Sequence, residues 1–290
     1  MSLLRVQDRP EWDWYQGTPE ASTAYLHAAI VDWWGDRGKW EDGARLNGYQ
    51  MARKYVSEET NEALIETYWG GHNPLPNVIG RSEAAIEVAA FMRHHFRDSH
   101  KVSRLDAKVD RTREGLFSDV ERMLAEKRDQ YPRVGFSHEG PMMRKTRSDM
   151  IAGTTLYVGS GDPWLIRFYE KGPQMAKLTG NRAWLRVPEW RDAVRGEVSY
   201  RPSRRFKAEA AKWEPAELFG ISDCVADLMA AFCGIAAEPV GRKLASVGEW
   251  ERKRQWIAAQ GGNVLRHWIE EVGDEQFLEE IKRRIGLSGE

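Results

Sequence analysis

The chain has 290 residues, a formal net charge of −1 and 30% charged residues, which is enough chain for one large domain or a domain with a small appendage. It contains no apolar run of the roughly 18 residues that a membrane span needs, and its first residues lack the apolar core of a signal peptide, so neither a membrane protein nor a secreted one is expected. A net charge near zero excludes a uniformly basic nucleic-acid coat, but it leaves room for a local basic surface.

The first half of the chain predicts strands and helices that alternate. Apolar residues at every second position indicate strands, and apolar residues at helical spacing indicate helices. The predicted strands are 11–18, 44–56, 62–70 and 102–110; the predicted helices are 21–34, one that begins at Ser82, and 116–130; a loop is predicted at 72–77.

The second half predicts more strands and then a helical end. A basic, irregular loop is predicted at 138–152, a hairpin of strands 154–160 and 164–171 follows, and further strands lie near 183–187 and 194–200. Helices are predicted at about 215–220, 222–236, 240–260 and 262–285. The prediction is therefore an α+β fold with a mainly antiparallel sheet, flanking helices and a helical C-terminal part, divided into domains 1–213 and 214–290.

The cysteine content bears on the compartment. Cys224 and Cys233 are the only cysteines, and both lie in an apolar helical stretch. Buried free thiols are the expected state, rather than a disulfide or a metal pair. A cytoplasmic location is therefore expected.

Basic residues are concentrated in one segment, whereas residues 1–80 are acidic. The cations of this segment are Arg167, Lys171, Lys177, Arg182, Arg186, Arg191, Arg195, Arg201, Arg204, Arg205 and Lys207. A phosphate backbone is one candidate partner for such a segment, and a solvated face is the alternative. Among the 13 tryptophans, many are expected in the core and a few are candidates for stacking on bases.

The stretch WLIRFYEKG, residues 164–172, lies within this basic segment. On a strand, Arg167, Tyr169 and Lys171 would share one face, and Ile166 and Phe168 would point into the core. The row of cations around one phenol predicts either a site for an anion or a solvated face.

Two other predicted strands carry polar side chains at alternate positions. These side chains are Arg104, Asp106, Lys108 and Asp110 on one strand, and Arg195, Glu197 and Ser199 on the other. Buried carboxylates need cations or a metal, and carboxylate oxygens suit Mg²⁺ or Mn²⁺. Asp106, Asp110 and Glu197 are therefore candidate metal ligands; the alternative is that the aspartates and arginines pair with one another across the strands.

Four stretches, taken in order, resemble the rolling-circle replication initiation factors of plasmids and phages, a group that includes relaxases of some conjugative elements. They are RLDAKVD at 104–110, TTLYVGS at 154–160, WLIRFYEKG at 164–172 and VRGEVSYRP at 194–202. The tail KRQWIAAQGGNVLRHWIEEVGDEQF at 253–277 also resembles the helical ending of these proteins. The resemblance covers about residues 100–285, and the first hundred residues match poorly.

The resemblance implies an enzyme that nicks one DNA strand at an origin, stays attached to the 5′ end through a phosphotyrosine, and rejoins the strand after replication. Tyr169 would be the nucleophile, Arg167 and Lys171 would contact the scissile phosphate, and Mg²⁺ or Mn²⁺ would be the cofactor. The further cations expected to bind DNA are Arg104, Lys108, Arg195, Arg201, Arg204 and Arg205. DNA is the implied partner, a host helicase is a candidate second partner, and a dimer is a candidate assembly.

Two other functions remain open from the sequence. A protein of the same fold could bind an origin without cutting it, and the acidic N-terminal third and the lone tyrosine on its strand are compatible with that. A metal-dependent hydrolase of another phosphodiester would use the carboxylates without the tyrosine. Tyr157 on the neighbouring strand is a second hydroxyl, interpreted as structural, and Gly196 stands where the family usually has a β-branched residue.

Overall fold

The computed structural model describes residues 9–46, 48–140, 153–237 and 265–284. Within these ranges ten strands form one sheet: β1 Glu11–Pro19, β2 Gly38–Asp42, β3 Met51–Ser57, β4 Ala63–Trp69, β5 Asn77–Arg81, β6 His100–Thr112, β7 Phe136–Glu139, β8 Thr155–Gly159, β9 Trp164–Glu170 and β10 Ala193–Tyr200. Their order across the sheet is β2-β3-β4-β5-β1-β6-β10-β9-β8-β7, and every neighbouring pair is antiparallel. The predicted α+β fold with a mainly antiparallel sheet is confirmed.

Helices connect the strands, and several of them pack on one face of the sheet. They are α1 Thr23–Trp34, α2 Ala84–Phe96, α3 Leu116–Arg128, α4 Lys171–Thr179, α5 Pro188–Arg191, α6 Lys207–Ala210, α7 Pro215–Leu218 and α8 Asp223–Cys233, with 3-10 turns at Gly35–Arg37, Arg182–Leu185 and Arg204–Phe206. Val88 of α2 lies so close to Gly80 of β5 that a side chain there would clash with it. Phe232 of α8 meets the ring of Phe168 on β9 edge to face. We call the face of the sheet on which α2 and α8 pack the helix face, and the opposite face the cleft face.

Strand alternation assigns each side chain of β6 to one of these faces. Leu105, Ala107 and Val109 are fully buried on the helix face. Asp106 and Lys108, between them, point to the cleft face and pair across the sheet with Ser199 and Glu197 of β10. The polar row predicted on this strand therefore lies on one face, and that face is where the candidate site forms.

Several predicted elements differ in the structure. The predicted strand near 183–187 is wrong: the segment forms a 3-10 turn at Arg182–Leu185, because the Asn181 side chain accepts a hydrogen bond from the backbone N–H of Ala183 at 2.9 Å and starts a turn. Lys171 opens α4 instead of extending β9. β2, β5 and β7 were not predicted; β5 follows directly on the predicted loop at 72–77, and β7 includes the first two residues of the predicted basic loop, which are strand because they pair with β8. The helix expected from Ser82 begins at Ala84.

The chain divides into two compact units, residues 1–240 and 241–290. In the second unit residues 265–272 are helical, Gly273 interrupts the helix with a φ of +82°, and α9 spans Asp274–Arg284. Trp268 and Phe277 meet edge to face across this break. The predicted domain boundary at 213/214 stays a prediction. The helix predicted at 240–260 and residues 141–152 of the predicted basic loop lie outside the described residues.

Cys224 and Cys233 are both free and buried, as predicted. None of the helices in the described ranges is long and apolar enough to cross a membrane.

Gly196 provides a test of the packing between β10 and α8. A Cβ at this position would lie 2.7 Å from the Phe232 ring, so the absence of a side chain is what lets α8 approach the sheet. We expect Gly196→Val to lower the free energy of unfolding by about 1–3 kcal/mol through overpacking. Denaturant unfolding measures this. Gly135→Val is the control, because a Cβ there meets only the carbonyl oxygen of Gly159, at 3.7 Å; equal effects of the two changes would contradict this packing.

Candidate functional site

A cleft of about 610 Å³ opens on the cleft face of the sheet, over β1, β6, β9 and β10. Its walls come from strands that are far apart in the chain and from the first turns of α4. The lining side chains that the sequence had singled out are Arg104, Asp106, Tyr157, Arg167, Tyr169, Lys177 and Glu197. The tertiary fold thus brings together side chains from the first, third and fourth of the quoted stretches, with Tyr157 from the second.

Tyr169 and Glu197 form a hydrogen-bonded pair in this cleft. The Tyr169 hydroxyl donates to Glu197 Oε2 at 3.3 Å, and Tyr169 is 8% exposed. Burial raises the pKa of Tyr169 above its ordinary value, against an opposing effect of Arg195. Burial also raises the pKa of Glu197, to about 7, although Arg167 acts in the opposite direction. The phenol is therefore neutral at pH 7, and its neighbour is a carboxylate that can accept a proton.

Arg167 contacts two of the cleft carboxylates, Glu197 and Asp106. It pairs with Glu197, and its Nη2 lies 3.6 Å from Asp106 Oδ2. Asp106 also accepts a hydrogen bond from the Ser199 hydroxyl at 2.6 Å and one from Arg104 Nε at 3.0 Å. Because Asp106 is 1% exposed, these donors are what make its burial tolerable.

Asp110 belongs to a separate buried network next to the cleft. Arg195 donates to both of its carboxylate oxygens at 2.7 Å and to Asp13 Oδ1 at 3.1 Å. Lys108 reaches the same Asp13 oxygen at 3.0 Å. Although burial acts in the opposite direction, Arg195 and Lys108 hold the pKa of Asp13 below its ordinary value. The alternative in which aspartates and arginines pair across the strands therefore describes this part of the sheet.

The placement of Lys108 and Arg195 bears on their predicted role in DNA binding, which stays a prediction. Both side chains are buried, and each is engaged by carboxylates within the sheet. A direct contact with a phosphate would require breaking these pairs, which is strongly unfavourable for buried charges. Their role here is to neutralise the acidic side chains beside the cleft.

The three predicted metal ligands do not converge. Asp106 and Asp110 are four residues apart on one strand, about 13 Å along β6, so they cannot share one ion. Asp106 and Glu197 do lie together, but Arg167 occupies the space between them. Over the described ranges, His, Cys, Asp and Glu side chains nowhere form a group of three or more that could hold a metal ion. The residues present fit a guanidinium better than a divalent cation.

Lys171 is the first residue of α4, and its ammonium group lies near the Tyr169 ring. Its Nζ donates to Gln174 Oε1 at 3.0 Å and stands 5.9 Å from the centre of the Tyr169 ring. Burial, together with the nearby charge of Arg195, lowers the pKa of Lys171 to about 8. Strand alternation therefore holds for Arg167 and Tyr169, whereas Lys171 reaches the Tyr169 ring from the first turn of α4.

The remaining predicted DNA-binding arginines lie away from the cleft. Arg201, Arg204 and Arg205 are exposed, and Arg201 donates to the carbonyl oxygen of Gly161 at 3.1 Å. Arg204 and Arg205 lie in the 3-10 turn that follows β10. A contact of these three residues with DNA stays a prediction.

Sequence reasoning missed Asp13, Trp14, Arg81 and Ser82, which also line the cleft. Trp14 pairs with Arg81 on one side and with Asp106 on the other. A polar residue between two tryptophans on a predicted strand was the available signal for Asp13. Arg81 had no such signal, because β5 is short and lies in a segment that was not predicted as a strand.

Comparison with known proteins finds similarity at the level of solved structures. No family model matches the chain, and no curated protein matches it. The chain is similar to a rolling-circle replication initiator protein from Geobacillus stearothermophilus, with a TM-score of 0.48 and 17% identity, over 76% of this chain and 84% of that chain. An identity of 17% transfers no residue role from that protein to this chain.

Proposed function

We propose that this protein initiates replication by nicking and rejoining one DNA strand, with Tyr169 as the nucleophile. The observation that carries the proposal is the hydrogen bond from the Tyr169 hydroxyl to Glu197, in an open cleft where Arg167 pairs with the same carboxylate. A neutral phenol is a weak nucleophile, and an adjacent base is the usual means of activating one. A guanidinium beside the pair suits the charge that develops on a phosphate under attack.

The proposed reaction exchanges one phosphoester bond for another. Tyr169 Oη attacks the phosphorus while its proton moves to Glu197, and the bond from phosphorus to the 3′ oxygen breaks. The product is a 5′-phosphotyrosine and a free 3′ hydroxyl. The departing oxygen takes up one proton from solvent and Glu197 later returns one, so the step is balanced. Rejoining is the reverse reaction, with the 3′ hydroxyl as the attacking group.

A divalent cation stays a prediction within this proposal. Mg²⁺ or Mn²⁺ would supply charge stabilisation at the phosphate. Binding between Asp106 and Glu197 would require Arg167 to leave them, so no step above depends on the ion. Comparing adduct yield in Mg²⁺, in Mn²⁺ and in excess chelator tests the requirement directly.

The experiment that tests the proposal looks for the covalent intermediate. The protein is incubated with supercoiled DNA from its own genetic element, with and without divalent metal, and run on a denaturing gel. A DNA adduct that peptide mass mapping locates on Tyr169 is the expected result. Salt-dependent binding without any adduct would overturn the nicking reaction and leave a DNA-binding protein.

Glu197 predicts how adduct formation depends on pH. Below its pKa of about 7 the carboxyl is protonated and cannot accept the phenolic proton, so the adduct rate should rise from pH 6 to 8 with a midpoint near 7. Glu197→Gln should slow adduct formation by about 10²–10⁴-fold and remove this pH dependence. Glu139→Gln is the matched control, because Glu139 accepts a hydrogen bond from the other cleft phenol, Tyr157, at 3.0 Å. A wild-type rate that is flat across this range would contradict the role of Glu197.

The titration of Glu197 should also change the free energy of unfolding, which can be measured without an activity assay. Its pKa is raised in the folded state from 4.5 to about 7, so the stability that it contributes is present below pH 4.5 and is lost as the pH rises through 7. We therefore expect the free energy of unfolding of Glu197→Gln to fall less than that of the wild type between pH 5 and 8.

One observation favours the second candidate, a protein that binds DNA without cutting it. Tyr169 is only 8% exposed, so a phosphate can reach it only if the cleft adjusts when DNA binds. In that case the cleft arginines would hold the backbone and Tyr169 would remain a structural phenol. The adduct experiment separates the two candidates.

A further inference from the structure

Three arginine–carboxylate pairs cross the cleft face of the sheet, and in each pair the arginine side chain is more exposed than the carboxylate. The side chains of Arg81 and Glu66 are 43% and 8% exposed, those of Arg104 and Asp106 are 22% and 1%, and those of Arg167 and Glu197 are 30% and 3%. In every pair the carboxylate is at the floor and the guanidinium is the outer group. The outer charge of these three pairs is therefore positive, although the cleft lining contains five acidic and four basic residues.

Two of these arginines meet at Trp14. The guanidinium of Arg104 lies 4.2 Å from the centre of the Trp14 ring, and that of Arg81 lies 4.6 Å from it. They reach the ring from the strands on either side of β1, because β5 and β6 are its two neighbours. Stacking on an aromatic face restricts a guanidinium while leaving N–H groups at its edge available.

Backbone contacts hold the Arg81 end of this cluster in place. Ser82 has a φ of +53°, which is uncommon for a residue with a side chain, and its N–H donates to the carbonyl oxygen of Asp13 at 2.7 Å. This bond ties the end of β5 to β1 beside Trp14. Arg81 also pairs with Glu66 at 3.0 Å. Its guanidinium and the backbone next to it are therefore both held in place before any ligand binds.

We propose that the cluster of Arg81, Trp14 and Arg104 is a second phosphate subsite, which binds a backbone phosphate of the same DNA strand away from the scissile one. The inference rests on the proposed function, because it assumes that the cleft takes a nucleic acid strand. Arg81 on β5 and Arg167 on β9 are separated by four strand spacings, about 19 Å, which corresponds to roughly six stacked nucleotides. The subsite would set the path of the strand across the sheet and position it for Tyr169.

The test measures binding of a fluorescein-labelled single-stranded oligonucleotide of about 20 nucleotides at several salt concentrations. Arg81→Gln should weaken binding several-fold and reduce the slope of log K against log salt by about 0.7, the value for one phosphate contact on a single strand. Arg81→Lys should keep the slope, because it keeps the charge. At limiting DNA the adduct rate of Arg81→Gln should fall together with its affinity, because the subsite positions the strand for Tyr169.

Arg53→Gln is the matched control. Arg53 also lies over a tryptophan, 5.3 Å from the centre of the Trp40 ring, but its strand position puts it on the helix face. It should bind the oligonucleotide like the wild type. A wild-type salt slope in Arg81→Gln, or an equal loss in Arg53→Gln, would overturn the subsite while leaving the Tyr169 adduct in place. A wild-type protein with neither binding nor adduct would overturn the proposed function and the subsite with it.

Discussion

Tyr169→Phe is expected to abolish the covalent protein–DNA adduct while leaving DNA binding intact. The change removes the attacking oxygen, so adduct formation should fall by roughly 10⁴-fold or more, as it does when a nucleophile is deleted from an enzyme. The measurement is the adduct band on a denaturing gel, compared with the affinity for the same DNA at fixed salt.

The fold should tolerate this change. The Tyr169 hydroxyl bonds to Glu197, which keeps Arg167 as its partner, so the loss of one hydrogen bond should change the free energy of unfolding by only about 1 kcal/mol. Tyr157→Phe is the matched control, because Tyr157 lies on the next strand and also donates to a carboxylate in the cleft. The control should form the adduct at the wild-type rate.

Two results would change the assigned nucleophile or the assigned type of reaction. An adduct that persists in Tyr169→Phe but is lost in Tyr157→Phe would assign the nucleophile to the neighbouring strand. Cleavage without any adduct, surviving both changes, would indicate a hydrolase that uses water, which is the third function left open by the sequence.

Arg195→Met is expected to have the largest effect on stability, a loss of about 3–5 kcal/mol. Arg195 is the bidentate partner of Asp110 and also bonds to Asp13, and all three lie on the cleft face of the sheet. Asp110 holds the pKa of Arg195 above its ordinary value even though burial acts to lower it. Removal of the guanidinium leaves a buried carboxylate without compensation. Thermal and denaturant unfolding measure the loss.

A second substitution separates this electrostatic effect from lost packing. In the double variant Arg195→Met with Asp110→Leu, the buried charge is removed together with its partner, so most of the stability should return. Arg122→Met is the surface control, because its pair with Asp119 is exposed and should contribute little. A double variant no more stable than Arg195→Met alone would show that the guanidinium acts through its shape rather than its charge.

Strand alternation by itself determined which side chains share a face. It predicted strands that match β6, β9 and β10, the hairpin around β8, and the common face of Arg167 and Tyr169. These are local properties, since the spacing of residues along a strand is enough to decide which side chains share a face. Short strands without that period, such as β5, were not predicted, and Arg81 on β5 was therefore not identified as a site residue.

Only the tertiary structure decided which strands lie side by side and therefore which charges meet. The pairing of β1 with both β5 and β6 brings Trp14 between Arg81 and Arg104, and the pairing of β6 with β10 joins Asp110 to Arg195, 85 residues later. Alternation alone left Asp106, Asp110 and Glu197 equally suited to a metal or to arginines. In the folded chain each carboxylate is buried beside a guanidinium, because a charge removed from water must be matched by the nearest opposite charge that the strand order supplies.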